Sequence, residues 1–113
     1  MDIGSGQHKL CIASVDPTTN SILRILHKEQ RQVLLNHALV QSGTGILNDE
    51  VLDHSFDALA TFKRRGLELG ATQFAGVATA VFRRASNGEA YLQRVNDELG
   101  LGLRVVSQRV EGE

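Results

Sequence analysis

The sequence predicts an α/β domain: a mixed sheet of about five strands with helices packed on it. Three observations carry that expectation. Two apolar runs flank a strong turn signal near the start, two segments with helical spacing follow, and each helical segment leads into another short apolar run. The resulting order is strand–strand–strand, helix, strand, helix, strand. A hairpin followed by crossovers of this kind builds a sheet that mixes antiparallel and parallel pairs and takes helices on its faces.

The chain opens on Asp2-Ile3-Gly4-Ser5-Gly6, a loop of the sort that ends a strand. A strand that stops at its second residue has no body, so the chain reads as truncated ahead of Met1. Residues 9–15 then read as a strand, with Leu10, Ile12 and Val15 apolar, and the lone Cys11 as a small core residue. Asp16-Pro17-Thr18-Thr19-Asn20 is a turn, because proline pre-sets its φ while Asp and Asn bond their own backbone. Residues 21–35 form the return strand, which closes a hairpin. Residues 36–47, with Gly43 and Gly45, read as a loop.

Asn48 is placed to cap a helix whose first turn carries Asp49 and Glu50. Leu52, Phe56, Leu59 and Phe62 recur on one face of it; Gly66 interrupts and Gly70 stops it. Lys63-Arg64-Arg65, late in this helix, suits its dipole. Residues 72–78 follow as a strand. Ser86-Asn87-Gly88-Glu89 has the Ser-x-x-Glu form of a capping box, and its helix carries Leu92, Val95 and Leu99 before stopping at Gly100. The last strand spans residues 103–107.

Composition narrows the function classes. At 113 residues the chain is one domain or part of one, 42% hydrophobic and 22% charged, with a net charge of −1. Basic and acidic residues are interspersed, which argues against a nucleic-acid surface. One cysteine allows no disulfide framework. No apolar run of about 18 residues exists to span a membrane, and no leader pattern is visible, so the cytoplasm is the default. His8, His27, His37 and His54 show no metal-ligand spacing and read as surface or edge residues.

The chemistry concentrates in the opening loop. Two glycines and a serine after a strand let backbone amides turn inward around an anion. Asp2, just before the turn, could hold a metal, a bound water or the loop itself. Asp2-Ile3-Gly4-Ser5 followed by Lys9 resembles the first phosphate loop of the exopolyphosphatase/guanosine-pentaphosphatase (Ppx/GppA) family. Three further segments extend the resemblance in the same order: Gly76-Val77-Ala78-Thr79-Ala80-Val81-Phe82-Arg83, Asn87-Gly88-Glu89, and Val105-Val106-Ser107-Gln108-Arg109-Val110-Glu111-Gly112.

The resemblance implies a ribonuclease-H-like (actin-like ATPase) subdomain, residues 1–113 being the N-terminal lobe of a two-lobed phosphatase. It implies hydrolysis of phosphoanhydride bonds in inorganic polyphosphate or guanosine pentaphosphate, bound between the lobes. Glu111 would be the base for the attacking water. Gly4, Ser5 and Gly6 would form the phosphate loop, and Lys9 and Arg83 would meet phosphate oxygens; Asp2, by its own position before the turn, is the candidate metal ligand. A divalent metal, magnesium by its chemistry, is implied in the intact enzyme, with none held tightly by this chain. Phosphoryl transfer rests on positioning and charge neutralisation, which suits such a set.

Several positions depart from the family pattern. Gly6 and Gln7 stand where Asn and Ser are usual, Gln108 replaces a glycine, and Val110 replaces the first of two glutamates. The family's Val-Arg-Leu-Gly segment has become Gln32-Val33-Leu34-Leu35-Asn36, with Arg31 one position away. The chain also ends before any second Gly-rich loop. The expectation is therefore a fragment inactive alone. The competing expectation is a catalytically degenerate module that senses a phosphorylated ligand or self-associates, as a homodimer, through an edge in residues 21–35. A third expectation is another actin-like ATPase or a ribonuclease-H-like nuclease; the nuclease would need further acids converging on two metals, and Asp2, Glu50 and Glu111 form no clear set.

Overall fold

The computed structural model describes residues 1–106. Its elements are β1 (Asp2–Ile3), β2 (Gln7–Val15), β3 (Ile22–Gln32), α1 (Leu35–Ser42), α2 (Asp49–Glu68), β4 (Gly76–Ala78), α3 (Val81–Arg84), α4 (Gly88–Leu99) and β5 (Leu103–Val105). The five strands form one sheet in the order β3-β2-β1-β4-β5. β1, β4 and β5 pair in parallel; β2 pairs antiparallel with β1, and β3 antiparallel with β2. The mixed five-stranded sheet with helices is the architecture the sequence predicts.

Register sorts the side chains into two faces. Ile3 lies opposite His8 on one side and Ala78 on the other, and all three are buried with Leu10, Ile12 and Leu103. This inner face meets Leu52, Leu59 and Phe62 of α2 and Leu92 and Val95 of α4 in one core. One residue along, Lys9, Asp2, Val77 and Arg104 form an exposed row on the outer face. Cys11 shares that outer phase and is exposed, not core as expected: strand period two is set by His8, Leu10 and Ile12. The same phase corrects His8, read from sequence as a surface residue but fully buried.

Local signals place the hairpin and the long helix. Asp16 Oδ1 accepts from the Thr18 amide at 2.8 Å, and Asn20 takes the left-handed φ of 59° that turns the chain. Asn48 Oδ1 accepts from the Val51 amide at 2.8 Å and caps α2. β3 is shorter than expected, and the pairing of β2 with β3 shifts register after Ile12 and after Ser14. Beyond the shifts the hairpin leaves Val15, Ile22 and Leu23 exposed. On the inner side of β3, Glu29 meets His27 at 3.1 Å, Arg65 at 3.4 Å and Arg31 at 3.7 Å. The His27 hydrogen bond, followed by the two guanidinium groups, holds the Glu29 carboxyl below its usual range.

Four expectations are corrected. The loop expected at residues 36–47 contains α1, which lacks a side-chain cap but seats Leu35 in the core. Gly66 does not interrupt α2; it is buried inside the helix, where a Cβ would press on the Phe74 ring at 2.7 Å. Only Gly76–Ala78 of the expected 72–78 strand pairs in the sheet. Ser86 and Glu89 form no capping box, since Asn87 stands at the cap and its side chain serves another purpose. Asn87 Oδ1 accepts from the Leu47 amide at 3.0 Å and its Nδ2 donates to Leu47 O at 2.8 Å. Gly100 ends α4 with a left-handed φ of 64°, as expected. Ser107, expected in the last strand, lies outside the described residues.

Candidate phosphate site at the carboxyl ends of the parallel strands

β1, β4 and β5 point the same way, so the segments that leave them emerge along one rim. Crevices at the carboxyl ends of parallel strands are where α/β sheets place ligands. The rim is stitched by backbone bonds: the Thr79 amide donates to Ile3 O at 3.1 Å, and the Val106 amide to Ala78 O at 3.0 Å.

The loop at residues 4–6 occupies the β1 end of this rim. The Gly4 amide donates to Gln7 O at 2.9 Å, and a Cβ at Gly4 would stand 2.9 Å from that same oxygen. Gly4 is thus required by close approach, not by a left-handed angle. Gly6 has no positive φ and open space around it, so nothing in the backbone demands glycine there. The loop carbonyls face inward: Ser5 O accepts from the Asn36 amide at 3.1 Å and Gly6 O from the Val33 amide at 3.2 Å. No described residue accepts from the Ser5 or Gly6 amide. A turn with engaged carbonyls and free amides presents positive dipole ends to an anion.

The two adjacent arginines diverge. Arg83 Nη2 donates to Val105 O at 3.4 Å, at the exit of β5. Arg84 Nη2 donates to Asn36 Oδ1 at 3.0 Å, beside the loop. Thr79 Oγ1, just past β4 on the rim, is buried without a partner among the described residues. Lys9 faces Asp2 across the β1–β2 pair on the outer face, one row back from the loop. The structure thus brings Gly4, Ser5 and Gly6 together on the rim, puts Arg83 at its far end, and sets Lys9 and Asp2 behind it. Glu111 lies outside the described residues. The sequence did not single out Asn36 or Arg84; their contact depends on how α3 faces α1, which no local pattern encodes.

Among the described residues no three His, Cys, Asp or Glu side chains gather as metal ligands. Asp2 offers a single carboxylate, which is not a metal set on its own, so no step is assigned to a metal.

Directly behind the loop, His8 Nε2 lies 2.7 Å from Ser55 Oγ, and the Tyr91 hydroxyl donates to the same oxygen at 2.7 Å. Burial in the core pushes the His8 pKa down to about 4 and the Tyr91 pKa up to about 12. His8 is therefore neutral at physiological pH and lends the rim no charge.

A model of the Ppx/GppA phosphatase family matches residues 11–113. This chain belongs to the Ppx/GppA phosphatase family. It is 29% identical over 112 residues to the guanosine-5'-triphosphate,3'-diphosphate pyrophosphatase of Vibrio vulnificus, covering 98% of this chain and 21% of that protein. The Ppx/GppA family member of Aquifex aeolicus superposes with a TM-score of 0.82 at 30% identity, over 98% of this chain and 35% of that one. An exopolyphosphatase from Cytophaga hutchinsonii shares the fold, with a TM-score of 0.78 at 21% identity over 94% of this chain and 32% of its own. The chain spans about a fifth of the length of the curated Ppx/GppA relatives it matches. Its sheet is the actin-like, ribonuclease-H-like one of that family.

Proposed function

We propose that this chain is the N-terminal lobe of a phosphatase that hydrolyses phosphoanhydride bonds of inorganic polyphosphate or guanosine pentaphosphate. In this reading residues 1–113 form one domain that grips phosphate, and a second lobe of the longer protein completes the cleft. The observation that carries it is the loop at residues 4–6, with carbonyls tied inward and the Ser5 and Gly6 amides free. Glu111 is the base for the attacking water, Arg83 and Lys9 neutralise phosphate charge, and a divalent cation, magnesium, accompanies the substrate in the intact enzyme. The isolated chain is inactive.

The test compares phosphate release from polyphosphate and from guanosine pentaphosphate by the longer protein and by residues 1–113. Hydrolysis by the longer protein alone is expected. Turnover by the 113-residue chain, or none by either, would sink the reading.

A regulatory or self-associating module is the second reading, favoured by one observation. β3 is an edge strand whose Ile22, Leu23, Ile25 and Leu26 are exposed. Sedimentation of the chain would show a dimer that Leu23→Lys disperses; a monomer at all concentrations removes this reading.

A further inference from the structure

The cations near the rim are not equivalent. Arg31, the basic residue nearest the altered Gln32-Val33-Leu34-Leu35-Asn36 segment, is taken by Glu29 at 3.7 Å. Leu34 in that segment is exposed and carries no charge. Lys9 sits on the outer face, and Arg83 is turned to Val105 O. Arg84 alone among these is bound into the loop's own hydrogen-bond chain: its Nη2 meets Asn36 Oδ1 at 3.0 Å, and the Asn36 amide meets Ser5 O at 3.1 Å.

We propose that Arg84, oriented by Asn36, is the guanidinium that closes on phosphate held by the Ser5 and Gly6 amides. The Asn36 oxygen uses one of five guanidinium N–H donors and fixes the plane of the group. The remaining donors are left for phosphate oxygens, which a planar fork meets two at a time. Arg84 is exposed, so the group is reachable from solvent without any rearrangement of the core. The inference rests on the reading of the loop as a phosphate site and adds to it a specific recognition pair, Asn36 and Arg84.

The experiment is a titration of the 15N-labelled 113-residue chain with inorganic tripolyphosphate, followed by amide shifts. In the unaltered chain the Ser5 and Gly6 amides are expected to move most. Arg84→Ala should weaken binding by about tenfold or more, since charge-assisted hydrogen bonds are lost. Asn36→Ala should weaken it several-fold by freeing the guanidinium, and Arg84→Lys should recover only part of the affinity. Arg64→Ala, at an exposed residue late in α2, removes the same charge elsewhere and should change binding less than twofold. Spectral dispersion reports folding of each variant in the same measurement. If the loop amides shift but Arg84→Ala binds like Arg64→Ala, the Arg84 role is wrong and the phosphate loop stands. If the loop amides never shift, both are wrong.

Discussion

The hydroxyl of Tyr91 on α4 donates to the hydroxyl of Ser55 on α2 at 2.7 Å, and Ser55 in turn meets His8 of β2. Three polar side chains from three elements thus bond one another inside an apolar core, while His8 Nδ1 stays buried without a partner among the described residues. Ser55 is the shared partner, so its removal strands two groups, whereas removal of the Tyr91 hydroxyl strands none outright. Ser55→Ala should cost roughly 2–4 kcal/mol and Tyr91→Phe about 1 kcal/mol, because unpaired buried polar groups each cost about 1–3 kcal/mol. Urea denaturation of the two variants checks the order; equal losses would contradict it.

The same group sets a pH dependence. His8 has its folded pKa depressed to about 4 from an ordinary 6.5 by burial. The unfolded chain therefore binds the extra proton first as pH falls, so this contribution is complete above about pH 6.5 and is lost as pH falls toward 4. It amounts to something on the order of 3 kcal/mol. Glu29, whose carboxyl is also held low, adds a loss only below its own ordinary 4.5. Stability measured from pH 8 to pH 4 should fall mainly between 6.5 and 4, and His8→Phe should flatten that window. A flat profile in the parent chain would refute the assignment.

Gly88 opens α4 directly against the backbone of Phe82, and a Cβ there would sit 2.7 Å from the Phe82 Cα and closer still to its carbonyl oxygen. Phe82 is fully buried and stacked on Tyr91 with ring centroids 6.0 Å apart, so it has nowhere to move. Gly88→Ala should destabilise by about 3 kcal/mol, as overpacking against rigid neighbours does. Gly6→Ala, with open space around the added methyl, should change stability by less than about 0.5 kcal/mol. Thermal melts of the pair decide the matter, and comparable losses would be inconsistent with it.

The features legible in the sequence are those with local causes. The Asp16–Asn20 turn, the Asn48 cap and the Gly100 stop each act within a few residues, and each stands where the pattern puts it. α1 escaped because it has no side-chain cap and is held through Leu35, a tertiary contact. The Ser86–Glu89 capping box failed for a related reason: Asn87 takes the cap position, and its amide pairs with Leu47, 40 residues away. His8 was legible by strand period and misread by residue type, because burial of an imidazole needs partners that only the fold supplies. At the site, the loop was visible in sequence, but not which of two neighbouring arginines turns toward it.

β1 (Asp2–Ile3) joins the hairpin half of the sheet to the parallel half. A second tie arches over that join. The hairpin half reaches the parallel half overhead, from His8 on β2 through Ser55 of α2 to Tyr91 of α4, the helix that packs on β5. Loosening that vault would let the two halves of the sheet part along β1, and the loop that leaves β1 would lose its footing first.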